Sequence, residues 1–131
     1  MRPLRAHTEE DDVKYMIMMF GSAAAMTEQR SPDWIEQMMA FMHTLNAELE
    51  GAGELVEARG LVDGSQAKTV TLTDGVPVVT DGPYAESKES LVGYWVLDVA
   101  DEQRVLDIAG RIVVWSGVVE VRQSPDAPPE M

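Results

Sequence analysis

The residues best suited to chemistry lie in one short segment, residues 81–89, which reads Asp-Gly-Pro-Tyr-Ala-Glu-Ser-Lys-Glu. Its first three residues specify a tight turn, because aspartate closes an Asx-type turn, glycine accepts a positive φ and proline fixes φ near about −65°. At the mouth of a pocket, the carboxyl group of Asp81 could transfer a proton or hold a ligand hydroxyl group. Tyr84 would then supply an aromatic face with a polar tip. We therefore predict Asp81 as a catalytic residue and Tyr84 as a ligand-binding residue.

The alternative is that this segment is structural. Aspartate, glycine and proline make a turn without any chemistry, and the charged residues Glu86, Lys88 and Glu89 that follow are explained by a solvated helical turn. Both interpretations stay open on the sequence.

Three further residues are candidates for ligand binding. Arg59 closes a predicted strand and would either pair with Asp81 or bind an anionic ligand through its guanidinium group, although a structural ion pair is its more common role. Trp34 and Trp95 would form the walls of an apolar cleft rich in methionine. The competing interpretation is that the methionines fill the core between the first strand and the first helix, because methionine adapts to irregular gaps. Those methionines are residues 16, 18, 19, 38, 39 and 42.

No metal or cofactor site is predicted. His7 lies in a polar leader, and His43 is rotated by roughly 140° from the apolar stripe of its predicted helix. The acidic residues 9–12 form a continuous run and not a cage of ligands. Gly51 and Gly53 follow a predicted helix instead of a strand and lack the third glycine of a dinucleotide fingerprint, so they mark the end of that helix and not a phosphate-binding loop.

Composition narrows the functional class. The chain has 131 residues and a formal net charge of −13, which fits one domain and disfavours direct binding to DNA or RNA. It has no cysteine, which excludes disulfides and thiolate chemistry. The start of the chain lacks the apolar segment of a signal peptide, and no apolar run is long enough to span a membrane, so we expect a cytoplasmic protein.

Local patterns predict a mixed α+β order. Residues 1–12 are expected to form a mobile leader, residues 13–123 a single domain, and residues 124–131 a disordered tail. Asp74 and Gly75, between alternating apolar residues, predict a hairpin turn, and Pro77 places its strand at an edge. The predicted elements are a strand at 13–20, a helix at 32–50 capped by Ser31, a strand at 54–59, hairpin strands at 68–72 and 76–80, a strand at 91–99, a helix from Asp101 to about Arg111, and a strand at 117–123.

This order predicts a ferredoxin-like βαββαβ sheet with an inserted β-hairpin. Two helices cover one face of such a sheet. The strands at 13–20 and 91–99 are nevertheless apolar on both faces, and the simplest cover for the second face is another copy of the chain. We therefore expect a homodimer.

The segment at Asp81, together with its flanks at 78–80 and 91–95, resembles the YCII-related proteins of the DGPF type, with Tyr84 where that family usually has phenylalanine. The resemblance extends from about Val13 to Arg122. It implies a ferredoxin-like fold of the dimeric α/β-barrel kind. Enzymes of the wider group are thought to use a histidine near the start of the first helix together with an aspartate, but residues 31–36 contain no histidine. Of that pair only Asp81 carries over.

The resemblance leaves the activity open. The leading hypothesis is a homodimeric small-molecule-binding or acid–base catalytic domain, with its pocket bounded by the Asp81 turn and the first helix. An alternative is a non-catalytic regulator, since proteins similar to this one are often associated with extracytoplasmic-function sigma factors and the acidic surface would suit a basic partner. A third is a structural dimer without a ligand.

Overall fold

A computed structural model describes residues 13–22, 30–84 and 90–126 of the chain. In order, the elements are β1 (Val13–Gly21), α1 (Pro32–Gly51), β2 (Leu55–Gly60), a single 3₁₀ turn (Gly64–Gln66), β3 (Lys68–Thr73), β4 (Val76–Asp81), β5 (Ser90–Val99), α2 (Glu102–Ser116) and β6 (Val119–Gln123).

Four of the strands form an antiparallel sheet in the order β2-β5-β1-β6, and β3 pairs with β4 in a separate two-stranded sheet. The predicted α+β class is confirmed, and this strand order is compatible with a ferredoxin-like fold. The predicted hairpin is also confirmed. It is an addition beside the main sheet, because its strands pair with each other and not with β2 or β5.

Both helices begin at the predicted capping residues. Ser31 accepts a hydrogen bond from the Trp34 amide at 3.1 Å, and Asp101 accepts one from the Arg104 amide at 2.9 Å. Each cap satisfies a backbone donor that the first helical turn leaves without a partner. Helix α2 runs to Ser116 and not to Arg111 as expected, because the first residue with positive φ that ends it is Gly117.

The core lies between the helices and one face of the main sheet. Strand alternation turns Tyr15 and Ile17 of β1, and the odd-numbered residues of β5 from Gly93 to Val99, toward the helices. The predicted stripe of α1 is confirmed, since its Met38, Leu45 and Leu49 are buried. The largest fully buried side chains are Ile17, Leu45, Leu49, Leu97, Val99, Val105, Ile108 and Ile112.

The methionines divide between two environments. Met38 is buried, and Met19 and Met42 pack against the core, in agreement with the filling role. Met16 and Met18 alternate onto the opposite face of β1, and Met39 is exposed on α1. The expectation that all six fill the core is wrong for these three. A strand with two apolar faces places Met16 and Met18 away from the helices, and Met39 lies outside the buried stripe of α1.

A partly buried ion pair fastens the start of α2 to the segment before β2. Arg104 donates to both carboxylate oxygens of Glu54, at 2.9 and 2.8 Å. This bidentate hydrogen bonding raises the pKa of the Arg104 guanidinium above its ordinary value.

The two ends of the described domain also meet. The Ser124 amide donates to the Lys14 carbonyl at 2.7 Å, and the Lys14 ammonium group donates to Asp126 at 2.6 Å. Thus residues 124–126 of the predicted tail lie alongside β1, while residues 1–12 and 127–131 fall outside the described part of the chain. No helix within the described residues is long and apolar enough to cross a membrane.

Gly93 on β5 lets β2 approach closely. A Cβ atom at this position would lie 3.1 Å from the Arg59 carbonyl oxygen and 3.7 Å from the Met19 Cε. The carbonyl belongs to the backbone of β2 and cannot move without disturbing the strand.

We expect Gly93→Ala to lower the free energy of unfolding by about 1–3 kcal/mol, because the added methyl group must displace β2. The matched control is Gly110→Ala on α2, where a Cβ atom meets nothing within 4 Å. That control should be neutral or stabilising by up to about 1 kcal/mol, since alanine favours a helix more than glycine does. Urea denaturation measures both, and equal stabilities of the two variants would contradict the prediction.

Candidate functional site

The segment around Asp81 is held to the start of the hairpin by hydrogen bonds. The Gly82 amide donates to the Ala67 carbonyl at 2.8 Å, and the Thr69 hydroxyl donates to the Gly82 carbonyl at 2.7 Å. Gly82 has a φ of 101°, a conformation that favours glycine. The positive φ that the sequence predicts at Gly82 is therefore present, and the backbone there is anchored to residues 67 and 69.

Asp81 itself points outward. Its side chain is 84% exposed and forms an ion pair with Lys68, its cross-strand partner. Arg59 is paired elsewhere, since its Nε atom donates to Glu57 at 2.9 Å. That hydrogen bond raises the pKa of the Arg59 guanidinium above its ordinary value. One alternative from the sequence was an ion pair between Asp81 and Arg59. In the structure each of these residues has another partner.

A cavity of about 600 Å³ lies beside the turn, and we call it the turn cavity. Tyr84 forms part of its wall although the residue is 87% exposed. Most of the other lining residues are apolar, with Lys68 and Asp63 as charged groups. The lining comprises Leu61, Val62, Asp63, Gly64, Ala67, Lys68, Thr69, Val70, Pro83, Tyr84, Ser90 and Leu91.

Close packing fixes one wall of the turn cavity. A Cβ atom at Gly64 would lie 2.6 Å from the Ser90 Oγ and 3.3 Å from the Ser90 Cβ, so a side chain here would force Ser90 to shift, while the Pro83 Cγ at 3.8 Å would be in ordinary contact. The carboxylate of Asp63 accepts a hydrogen bond from the Ser65 amide at 3.1 Å and caps that turn. The loop between β2 and β3 is thus ordered where it meets the cavity.

A second cavity of about 240 Å³ lies between α1 and the ends of β2 and β5, and we call it the helix cavity. Arg59 and Trp95 line it, as do Met38 and Met42 of α1. The indole nitrogen of Trp95 donates to the Asn46 Oδ1 at 2.7 Å, which orients the ring at the cavity wall. The lining comprises Met19, Met38, Met39, Met42, Asn46, Ala58, Arg59, Gly60, Val92, Gly93, Tyr94 and Trp95.

The two cavities are adjacent along the chain. Gly60 and Val92 line the helix cavity, and the next residues, Leu61 and Leu91, line the turn cavity. Between the two cavities, the Leu61 amide donates a hydrogen bond of 2.8 Å to the Val92 carbonyl and joins the two backbone segments. The predicted pocket, bounded by both the Asp81 turn and the first helix, is therefore two cavities. Among the described residues, those of α1 line the helix cavity but not the turn cavity.

Trp34 lies in neither cavity. Its ring packs against Trp115 of α2, with ring centroids 5.4 Å apart, and Trp115 in turn lies 5.6 Å from Phe41. The guanidinium of Arg30 lies 4.5 Å from the Trp34 ring centroid. This aromatic cluster joins the start of α1 to the end of α2, while Trp95 is the predicted tryptophan that reaches a cavity.

Within the described part of the chain, neither cavity is lined by a histidine. His43 is exposed on α1, as its helical position predicts. No cluster of three metal-binding side chains occurs among the described residues. Glu86, Lys88 and Glu89 lie outside the described residues, so their solvated-turn interpretation stays a prediction.

The sequence-based selection of residues missed Lys68 and the loop from Leu61 to Ala67. Lys68 could have been predicted from the sequence. A two-residue turn at Asp74 and Gly75 pairs residue 73 with residue 76 and therefore residue 68 with Asp81. The loop gave a weaker signal, namely two adjacent apolar residues, Leu61 and Val62, in an otherwise polar connection.

Comparisons with known proteins agree with the family resemblance that the sequence around Asp81 indicates. A protein of Rhizobium meliloti (strain 1021), described as uncharacterized, is 30% identical over 95 residues, which cover 72% of this chain and 76% of the relative. The family model of the YCII-related domain matches residues 13–124, close to the predicted domain limits. The match covers most of the chain, and the protein belongs to the family of YCII-related domains.

Proposed function

We propose that the protein is a homodimeric small-molecule-binding domain whose ligand occupies the turn cavity. The observation that carries this proposal is the turn cavity itself, which has apolar walls, one basic side chain among its described lining residues and a backbone fixed by hydrogen bonds from the Asp81 turn. Largely preformed concave sites with a few polar groups are the usual form of small-molecule sites.

The lining indicates an amphipathic ligand with an aromatic or aliphatic body and an anionic group. Leu61, Val62 and Leu91 supply the apolar contact. The ammonium group of Lys68 has three donors, of which the ion pair with Asp81 engages one. A ligand carboxylate can therefore bind Lys68 while Asp81 holds that side chain in place.

The geometry favours binding over proton transfer by Asp81. A general base must come within hydrogen-bonding distance of its substrate. Asp81 is exposed, paired with Lys68 and absent from the lining of the turn cavity. In this proposal Asp81 positions Lys68, and Tyr84 contributes its ring at the rim.

The proposed homodimer is supported by the sheet face that the two helices do not cover, which we call the open face. Its central residues lie on β1 and β5 and are only partly buried in the single chain, although most of them are apolar. Burying them against a second copy would remove that surface from water on both subunits. These central residues are Met16, Met18, Phe20, Tyr94 and Val96.

Met18→Glu on the open face should convert the dimer to a folded monomer, because each copy would place a carboxylate in the middle of the apolar contact. The control is Val114→Glu, which adds the same charge at an exposed position of α2. Sedimentation velocity should give a dimer for the wild type and the control and a monomer for Met18→Glu. A monomeric wild type would contradict the proposed dimer.

Val70→Glu should weaken binding of naphthoate, used as an aromatic carboxylate probe, by about tenfold or more, because it adds negative charge to the cavity wall. Val79→Glu is the matched control, since Val79 lies directly opposite on β4, is equally exposed at 62%, and is not part of the lining. Titrations followed by amide chemical shifts of residues 61–70 provide the affinity. Equal weakening by both substitutions, or shifts confined to residues of the helix cavity, would contradict the assignment.

A second candidate function is regulation through protein contacts, and one exposed apolar face of the hairpin favours it. Val70, Leu72, Pro77 and Val79 share one face, and Leu72 is 73% exposed. Within the described residues, β3 and β4 pair with no other strand. An exposed apolar face of this kind is typical of protein–protein contacts, and the partner expected from the family resemblance is an extracytoplasmic-function sigma factor.

If this regulatory function operates, such a sigma factor should co-purify with the wild-type protein. Leu72→Lys should abolish that association, because it inserts a charge into the apolar face. Val114→Lys, at an exposed site on α2, should leave it unchanged. Absence of a sigma factor from the wild-type preparation would overturn the regulatory candidate without affecting the binding proposal.

A further inference from the structure

We propose that four charged side chains at the corners of the open face determine how two copies pair. These residues, which we call the charge quartet, are Glu57, Arg59, Glu120 and Arg122. In the dimer, Glu57 of one copy lies opposite Arg122 of the other, and Arg59 lies opposite Glu120. The inference rests on the proposed homodimer and adds its orientation and the residues that set it.

The sheet register arranges the quartet in two rows that cross all four strands. Each row ends in one acidic and one basic residue, with two uncharged residues between them. The signs are reversed from one row to the next. The rows, from β2 through β5 and β1 to β6, are Glu57, Val96, Met16 and Arg122, and then Arg59, Tyr94, Met18 and Glu120.

The quartet lies on the open face because its strand neighbours pack on the core. Ala58 on β2 and Val119 and Val121 on β6 contact the buried cluster, so strand alternation turns the charged residues the other way. In the single chain each edge forms its own ion pair, with Arg59 and Glu57 at 2.9 Å and Arg122 and Glu120 at 3.8 Å. Exposed pairs of this kind contribute little stability, which leaves the charges available to a partner.

An arrangement with alternating signs at four corners is complementary to itself. A two-fold axis that lies between two facing sheets and runs parallel to the strands brings β2 over β6 of the partner and keeps each row opposite itself. Glu57 then meets Arg122 at one edge, and Arg59 meets Glu120. The symmetry repeats both pairs at the other edge, so four ion pairs surround the apolar centre.

A two-fold axis perpendicular to the strands would also bring opposite charges together, since Glu57 would then face Arg59. The rows beyond the quartet decide between the two axes. At one end of the central strands Lys14 pairs in register with Asp98, and at the other end Phe20 pairs with Leu91. The perpendicular axis would press the charged row against the apolar row, and an ion buried against apolar side chains is costly.

The parallel axis avoids that cost. Lys14 faces Asp98 of the other copy, and Phe20 faces Leu91. In the centre, Tyr94 faces Met18, a contact between an aromatic ring and a thioether that is favourable in protein interiors. Every row of the open face therefore meets a row of matching chemistry.

The experiment exchanges the charges of one edge at a time. The β2 swap is Glu57→Arg with Arg59→Glu, and the β6 swap is Glu120→Arg with Arg122→Glu. Each swap keeps the net charge of the chain and preserves an opposite-charge pair along its own strand. Each places like charges opposite one another in a homodimer built on the parallel axis.

Sedimentation equilibrium should show that either swap raises the dimer dissociation constant by at least about tenfold. An equal mixture of the two swapped chains should form heterodimers with an affinity near that of the wild type, because all four pairs are then restored. A chain carrying all four substitutions should recover the homodimer. Circular dichroism and thermal denaturation of each swapped chain check that it remains folded.

The experiment distinguishes a failure of the charge quartet from a failure of the homodimer. Swapped chains that dimerise as tightly as the wild type would overturn the role of the quartet while leaving the homodimer in place. That result is also the one expected for the perpendicular axis, in which both swaps remain complementary. A wild-type chain that is monomeric by the same measurement would instead overturn the homodimer itself.

Discussion

The pairing of β1 with β5 is the constraint on which the rest of this structure depends. Its antiparallel register places Ile17 opposite Trp95 and Tyr15 opposite Leu97, so that both members of each pair face the helices. A slip by one residue would turn all of these side chains to the other face. Because both strands also carry apolar residues on that other face, correct pairing turns Met16, Met18, Tyr94 and Val96 away from the helices, and within the described residues these side chains are only partly buried. The proposed homodimer would supply a covering layer on that face.

The same strand pair separates the two cavities. The register of the β1–β5 pair shifts between Met19 and Phe20, opposite Val92. This irregularity lies near the start of β5, the end of that strand that follows the Asp81 segment in sequence. Gly93, next to that irregularity, lets the backbone of β2 come close enough for Leu61 to hydrogen bond to Val92. The helix cavity forms where α1 meets this junction, and the turn cavity forms beyond it. Substituting Gly93 is therefore expected to disturb both cavities as well as stability.

Local interactions explain which features could be predicted from sequence. Ser31 and Asp101 cap their helices through residues three positions away, and Asp74 with Gly75 closes a two-residue turn, so short segments specify these features. Asp81 and Arg59 pair with residues that are close in sequence, Lys68 across the hairpin and Glu57 on the same strand. Their separation from each other depends instead on where the hairpin leaves the sheet, which no short segment specifies. For the same reason one predicted pocket became two, and Trp34 packs against Trp115, which lies far from it in sequence.

The proposed dimer has to form between two strongly acidic chains, each with a formal net charge of −13. The open face is compatible with this, because its acidic residues Glu57, Asp98 and Glu120 are balanced by Lys14, Arg59 and Arg122. The excess of negative charge therefore lies elsewhere on the chain, and at physiological ionic strength repulsion over more than about 8 Å is largely screened. Contacts at the face act over shorter distances and in lower dielectric, where opposite charges retain more of their attraction. Acidity thus opposes non-specific association, while the neutral, patterned face permits one specific mode of pairing.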